Sequence, residues 1–413
     1  MEKGKQRNRN NTKQKDRKKE LFHILCILTG MVVLIPLGSR SIMNSPMTAE
    51  WAARVEEIAE GFQRGHLYLY PSAGVFTMSG SSVNGMDSNM WLFIPGGMYW
   101  LCGKMGLVYR LYMAGMQVGT LAASILLFQR IFAHRSTELP VFFGMLLYMT
   151  CPYRIYLCYD LGDFSQAFVW MLIPCYLWAL MGVWKDEGKE KKKAVVLAAV
   201  ILAGIGYADV VYFLAAAGIT AAVGGYRKCL WTFVSAAAGG ILFGPGILRL
   251  IRYVFLNGLG ELQMPLKSIM ADGYKFGQFF SSYAFRDNHP GMGLGMLLCV
   301  LTGMWLILVE GKRASGTCKA FMGMGIFLSM ISLARFPWDY IQRLGAWALK
   351  LVSLVETPAV FWGMACIALC VPAAGAIYGI AGHEDRKIAL GVPCIVMLTC
   401  YGVCVYQCNM LMY

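Results

Sequence analysis

The chain has 413 residues, 57% of them hydrophobic, and only 15% are Asp, Glu, Lys or Arg. Soluble domains carry about 25% charge, so this composition excludes a water-soluble globular fold. The formal charge of +14 does not point to nucleic acid, because the positive residues sit in short segments between apolar runs, which is how membrane topology is written.

A spanning helix needs about 20 mostly apolar residues, and lipid offers no partner to unsatisfied backbone groups, so the apolar runs are expected to be helices. The expected fold class is therefore all-α, a polytopic transmembrane protein. Residues 1–20 hold nine Lys or Arg and three acids without apolar periodicity. They read as a disordered basic cytoplasmic tail beside anionic lipid. The run 21–37 follows that tail as a signal peptide would, but no convincing Ala-x-Ala cleavage site follows it. It is expected to be a retained first span, leaving residues 38–106 outside.

Within that first outer loop, WAARVEEIAEGFQRG predicts an interfacial helix, with Trp51, Val55, Ile58 and Phe62 at helical spacing. The segment 89–103 is short and broken by Pro95, Gly96 and Gly97, so it is expected to be interfacial or re-entrant. Ten further spans are predicted at 107–129, 138–156, 164–184, 194–208, 210–225, 232–256, 293–310, 320–335, 357–380 and 388–408. This makes eleven in one transmembrane domain over 21–408. Arg130, His134 and Arg135, then 185–193, then Arg227 and Lys228, then Lys312, Arg313 and Lys319, then Arg386 and Lys387 all fall inside on this scheme. The outer segments are then 38–106, 157–163, the turn at Asp209, 257–292, 336–356 and a short extracellular C-terminus at 409–413. The stretch from Arg335 to Pro358 predicts another helix lying on the membrane.

Charged groups near lipid are expensive and carry the most functional weight. Asp160 and Asp163 open the span at 164, and Asp163 could simply cap it. Asp209 lies at the tip of a membrane hairpin, as a polar turn residue or a cavity-facing acid. Glu50 could cap the first outer helix or act as a carboxylate base. Glu356 precedes Pro358 and is either a cap or a cavity residue. Arg54, Arg110, Arg154 and Arg335 are expected near the outer interface, where they either snorkel or hold a lipid phosphate. The 14 cysteines follow no zinc or disulfide spacing. Cys366 with Cys370, and Cys400, Cys404 and Cys408, share helical faces and read as packing residues. Gly375 to Gly379 and the Ala/Gly runs around 214–224 and 235–240 predict close helix packing. No metal-site spacing, phosphate-cradling Gly-rich loop or serine-protease signature is present.

Four stretches carry a resemblance: ARVEEIAEGFQRG, MWLFIPGGMYWLCG with VYRLY, CPYRIYLCYDLGDFSQAFVWMLIP, and RFPWDYIQRLGAWALKLVSLVETPAVFW. In order and spacing the set resembles the bacterial membrane proteins related to the YfhO group. These belong to the GT-C-like clan of polytopic glycosyltransferases that use lipid-phosphate-linked sugars. Several family positions differ. Met47 and Trp51 stand where relatives usually have an Asp and a nearby His, with Glu50 the acid close by. Asp160 or Leu161 and Ser165-Gln166 replace an Arg and a Gly-Glu, Asp209 stands near a usual His, and Glu356 and Val360 replace a Gln and an Arg. The additional spans or large extracellular domain of many relatives are not expected after Tyr413.

The resemblance implies a GT-C-like fold in a bacterial plasma membrane. It also implies transfer of a sugar from a polyprenyl-phosphate donor to a cell-envelope acceptor on the outer face. In the clan, an acid of the first outer loop is thought to act as general base or to help bind a divalent cation such as Mg or Mn. Transferred here, Glu50 is the base, Asp163 or Asp209 the supporting acids, and Arg154 or Arg335 faces the phosphate. Two other readings remain open. One is a non-catalytic protein that binds lipid-linked intermediates or assembles with envelope machinery; the other is a transporter or flippase of such a substrate, which predicts paired broken helices in two related halves.

Overall fold

The computed structural model describes residues 19–39, 45–67, 88–133, 138–227, 229–255, 268–281, 289–309, 316–355, 357–381 and 386–411. Every named element among them is helical, and the one β feature is an isolated parallel bridge between Tyr274 and Leu333. The basic tail 1–18, Glu356 and, among the positive residues of the inner loops, His134, Arg135, Lys228, Lys312 and Arg313 lie outside the described residues.

The helices follow the apolar runs. They are α1 (Lys19–Gly38), α2 (Pro46–Gln63), α3 (Met90–Cys102), α4 (Met105–Ile131), α5 (Glu138–Met149), α6 (Pro152–Leu161), α7 (Phe164–Lys185), α8 (Gly188–Ala208) and α9 (Val210–Arg227). After these come α10 (Leu230–Leu242), α11 (Gly244–Phe255), α12 (Leu294–Val309), α13 (Gly316–Ile331), α14 (Trp338–Gln342), α15 (Ala346–Ser353), α16 (Ala359–Ala381) and α17 (Arg386–Met410). Five of them, α1, α4, α7, α16 and α17, are long and apolar enough to cross a bilayer. Counting each bent pair, α5–α6 and α10–α11, as one span makes seven. Helix α8 is comparably long but opens on Lys189, Lys191, Lys192 and Lys193, while α9, α12 and α13 are shorter apolar helices. These helices point to a membrane-embedded protein.

Helix α16 is the axis of the bundle. It is buried almost throughout and packs on α13, α12 and α5, whereas α1 and α17 lie at the periphery with most of their apolar surface outward. Its Ala and Gly residues make the close approach possible. A side chain at Gly363 would collide with the Tyr153 ring, and one at Gly325 of α13 with Leu369. Cys366, Cys370, Cys404 and Cys408 are fully buried and Cys400 nearly so, as packing residues should be.

Three predicted segments break where the sequence reading ran them through. The 138–156 span bends by 44° at Pro152, whose ring cannot continue the preceding helix. Beyond it the chain stays helical as a π-type turn over Tyr156–Leu161, so most of the expected loop 157–163 is helix. The 232–256 span bends by 78° between Leu242 and Gly244, just before Pro245. The stretch after Arg335 is two short helices, because Gly345 takes φ +150, a conformation open to glycine alone. The helix expected in the first outer loop is present as α2, with Trp51, Val55 and Ile58 buried. Helix α3 packs closely on it, since Gly96 leaves no side chain to meet Ile58.

Candidate functional site

A cavity of about 400 Å³ opens at one end of the bundle. Its wall is assembled from Glu50, Trp51 and Arg54 of α2 with Trp91 of α3; Tyr153 and Tyr156 of α6 and the α6–α7 turn from Leu161 to Gln166; Asp209 between α8 and α9; Asp272 and His289; and Leu354, Val355, Thr357, Ala359 and Val360 around the start of α16. Each of the five outer segments expected from the positive-residue pattern contributes to this wall, and the remaining wall residues, among them Tyr153, Tyr156, Gln166, Val211 and Val360, belong to the ends of stretches expected to span. No wall residue comes from a segment assigned to the inner side.

Helix α2 is seated by its first turn. Ser45 Oγ donates to the Leu161 carbonyl, and Gly162, at φ +72, leaves space for Thr48. Glu50 and Arg54 then share a face one turn apart, the i,i+4 relation. Arg54 is buried, and its Nε donates to Asn89 Oδ1 at 3.0 Å and its Nη2 to the Ser88 carbonyl at 3.1 Å. The guanidinium also lies 5.9 Å from the centre of the Trp91 ring. Much of its donor capacity is thus spent on fastening α2 to α3. Trp51 stacks on Phe164 at 4.8 Å and meets Tyr109 edge-on at 5.9 Å. The indole N–H groups of Trp51 and Trp91 are buried with no hydrogen-bond partner among the described residues.

Asp163 caps α7. Its Oδ1 accepts from the Gln166 backbone N–H at 3.1 Å and from Ser165 Oγ at 2.6 Å. Burial raises its pKa above the ordinary carboxylate value, against the opposing pull of these hydrogen bonds and of Arg54. Asp209 caps α9 in the same manner, accepting from the Tyr212 N–H at 3.0 Å. Capping was an expectation for Asp163, whereas Asp209 was expected as a polar turn residue or a cavity-facing acid; both residues also line the cavity.

Asp272 and His289 went unnoticed in the sequence. His289 Nε2 lies 3.1 Å from the Asp272 carbonyl, and its ring sits edge-on to Tyr274 at 4.9 Å. Tyr274 holds this region to the bundle: its backbone exchanges hydrogen bonds with Ser332 and Ala334 at 2.9 Å, and its hydroxyl donates to the Pro290 carbonyl at 2.9 Å. The Trp362 indole donates to that same carbonyl at 2.8 Å. A signal existed in principle, because both residues fall in a segment assigned to the same side as Glu50.

The other expected site residues lie elsewhere. Arg154 is 2% exposed inside the bundle and does not line the cavity. Its Nη1 donates to the Met149 carbonyl at 2.9 Å and its Nη2 to Gln117 Oε1. Gln117 Nε2 donates to Tyr159 Oη at 3.1 Å, and Tyr159 donates to the Val33 carbonyl at 2.7 Å. The physical reason is the helix that continues past Pro152 and draws Arg154 inward. Arg335 is exposed in the turn after α13, and Asp160 is half-buried on the π turn; neither lines the cavity. Arg110 reaches the Ser39 carbonyl at 3.4 Å. Among the described residues, no three His, Cys, Asp or Glu side chains are grouped to hold a metal ion.

Among the described residues, carboxylates, the Arg54 guanidinium and the His289 imidazole line a space of small-ligand size together with the Trp51 and Trp91 side chains. No protein-family model, curated protein or solved structure matches the chain.

Proposed function

We propose that the protein is a membrane glycosyltransferase that moves a sugar from a polyprenyl-phosphate donor to a cell-envelope acceptor on the outer face of a bacterial plasma membrane. One observation carries this reading. Five segments assigned to one side by charge each contribute residues to a single cavity, which Glu50, Asp163, Asp209 and Arg54 line. The same convergence supports eleven crossings in a GT-C-like arrangement, because each return to the cavity side requires an outward and an inward pass. The N-terminus is then cytoplasmic and the C-terminus extracellular.

In this mechanism Glu50 is the general base. It takes the proton of the acceptor hydroxyl as that oxygen attacks the anomeric carbon. The bond from the anomeric carbon to the phosphate oxygen breaks, its electron pair leaves with the lipid phosphate, and the anomeric configuration inverts. Arg54 is the wall cation that meets the phosphate charge. Asp163 and Asp209 orient sugar hydroxyls by accepting from them.

Purified protein in lipid nanodiscs, offered a panel of polyprenyl-phosphate sugars and a cell-envelope acceptor fraction, tests the reading. Transfer by the native protein and its loss in Glu50→Gln (E50Q) is the expected result. Transfer that survives E50Q removes Glu50 as the base. A non-catalytic, lipid-intermediate-binding role draws on a specific observation, that Asp163 and Asp209 both serve as helix caps. Donor binding without transfer by the native protein would favour it.

A further inference from the structure

Helix α11 does not continue the crossing that α10 begins. The α10 segment is uncharged from Leu230 to Leu242 and runs beside α8. At its start Thr232 Oγ1 accepts from the Trp184 indole at 3.0 Å, next to the charged run 185–193. At its end the Leu242 carbonyl accepts from Tyr207 Oη at 3.0 Å, two residues before the cavity residue Asp209. The chain has therefore reached the cavity end of the bundle when it turns by 78°. The 12 residues of α11, about 18 Å of helix, then lie across the bundle axis. Their far end stays on the cavity level. Tyr253 Oη and Ser353 Oγ are 2.8 Å apart, and the wall residues Leu354 and Val355 follow directly.

The sequence of α11, GPGILRLIRYVF, is amphipathic at helical spacing. Val254 is buried and Tyr253 turns to α15. Leu248, Ile251 and Phe255, three and four residues apart, form an exposed apolar stripe, with Phe255 68% exposed. Ile241 and Leu242 at the elbow are exposed as well. Water penalises such a surface in proportion to its area, and lipid chains do not. Arg252 stands beside the stripe, one turn after Leu248. It is exposed and has no hydrogen bond or ion pair among the described residues. Arg249 and Lys350 already have partners, which leaves Arg252 open to a ligand. Neither α11 nor α15 contains an acid that could pair with it.

A free phosphate would meet the arginine and leave the stripe uncovered. An apolar protein face would cover the stripe and leave the arginine unmet. An anionic amphiphile does both, and a helix of this pattern lies in the plane of the membrane surface. We infer that α11 is an in-plane anchor at the cavity-side face of the membrane and binds an anionic phospholipid. The acyl chain lies on the stripe of Leu248, Ile251 and Phe255, and the Arg252 guanidinium donates to the phosphate. This goes beyond the proposed transfer and holds whether or not the cavity moves a sugar.

The test uses the full chain in nanodiscs of phosphatidylglycerol and phosphatidylcholine, with Cys102, Cys175, Cys229 and Cys394 replaced by serine. A nitroxide is attached at Leu248→Cys, Ile251→Cys or Phe255→Cys, three exposed positions. Power saturation with oxygen and a water-soluble nickel complex should place all three at one depth, just beneath the phosphates. A depth that changes steadily, by about 10 Å from 248 to 255, shows a helix along the bundle axis and overturns the in-plane placement. Nickel access above oxygen access at all three positions puts the stripe in water, open to a protein partner, and also overturns it. Native mass spectrometry of the purified chain titrated with phosphatidylglycerol reads the head group. Arg252→Gln should weaken the tightest-bound lipid about fivefold, the weight of one basic residue at an anionic surface. Arg252→Lys should keep most of that affinity, and neither variant should change the binding of phosphatidylcholine. Phosphatidylglycerol binding that is unchanged in Arg252→Gln removes the lipid contact.

Discussion

Thr48 fills the space that a side chain at Gly162 would need, which places the first turn of α2 directly on the turn joining α6 to α7. Gly162 also holds φ +72, so an alanine there meets both a strained backbone and a collision. Gly162→Ala is therefore expected to cost about 1–3 kcal/mol from strain, with the collision added. The affected contact is the cavity wall, so ligand binding should fall along with the melting temperature in detergent. A variant as stable as the native protein would show that α2 is not seated by this turn.

Asp163 gives a pH signature. Burial raises its folded pKa above the unfolded value of about 3.9. The folded state then holds the proton more tightly than the unfolded state. The group's contribution to stability is fully present at low pH and is lost as pH rises from the unfolded pKa through the raised folded one. Asn caps a helix about as well as Asp and does not titrate. Asp163→Asn should thus be the more stable protein at pH 7, and its advantage should shrink as the pH is lowered toward 4. A native protein that loses stability relative to the variant on acidification would mean the opposite shift.

The two caps explain how much of the site was legible. Acids beside long apolar runs stand out because lipid makes them costly, and Glu50, Asp163 and Asp209 were found in that way. Asp272 and His289 belong to a segment with no helical period, so only their shared side with Glu50 pointed to them. Helix positions were legible because apolar runs have a length that a bilayer dictates. The breaks at Leu242–Gly244 and Gly345 were not, since a glycine marks a permitted bend without stating that one occurs. Arg154 was misplaced for a related reason. Ending the helix at 156 puts it at the water interface, whereas the observed π turn to Leu161 carries it inside.

Asp209 separates capping from chemistry. Its Oδ1 accepts from the Tyr212 N–H, a bond that Asn retains and Ala loses. Asp209→Ala is expected to cost about 1 kcal/mol, read as a lower melting temperature, while Asp209→Asn stays near native. If Asp209 also contacts the sugar as proposed, Asp209→Asn should weaken ligand binding despite normal stability. Unchanged binding in Asp209→Asn would reduce the residue to a cap.

Arg154 and Gln117 should behave as a unit. The guanidinium spends Nη2 on Gln117, which in turn donates to Tyr159. Truncating either residue leaves buried polar groups without partners, a cost of about 1–3 kcal/mol per group. Arg154→Met and Gln117→Met are each expected to destabilise, and the double variant to cost less than the sum, with a coupling of about 0.5–3 kcal/mol. Strict additivity would mean that the network is not continuous. Sugar binding serves as the control, because Arg154 lies outside the cavity wall.

The proposed sidedness can be read from two native thiols. Cys102 is exposed at the end of α3, within the segment assigned outside, and Cys229 lies half-buried between α9 and α10, within a segment assigned inside. A charged maleimide that cannot cross lipid should label Cys102 in intact cells and Cys229 only after permeabilisation. Ten other cysteines are buried in the bundle, while Cys175, half-buried, and Cys394, exposed, lie within the apolar helices α7 and α17, where lipid keeps a charged reagent away. Cys102→Ser should therefore abolish most labelling of intact cells, and Cys229→Ser should reduce only the signal gained on permeabilisation. Labelling of Cys229 from outside would place the α9–α10 turn on the same side as the cavity. That result would break the alternation on which eleven crossings and a single outer face both depend.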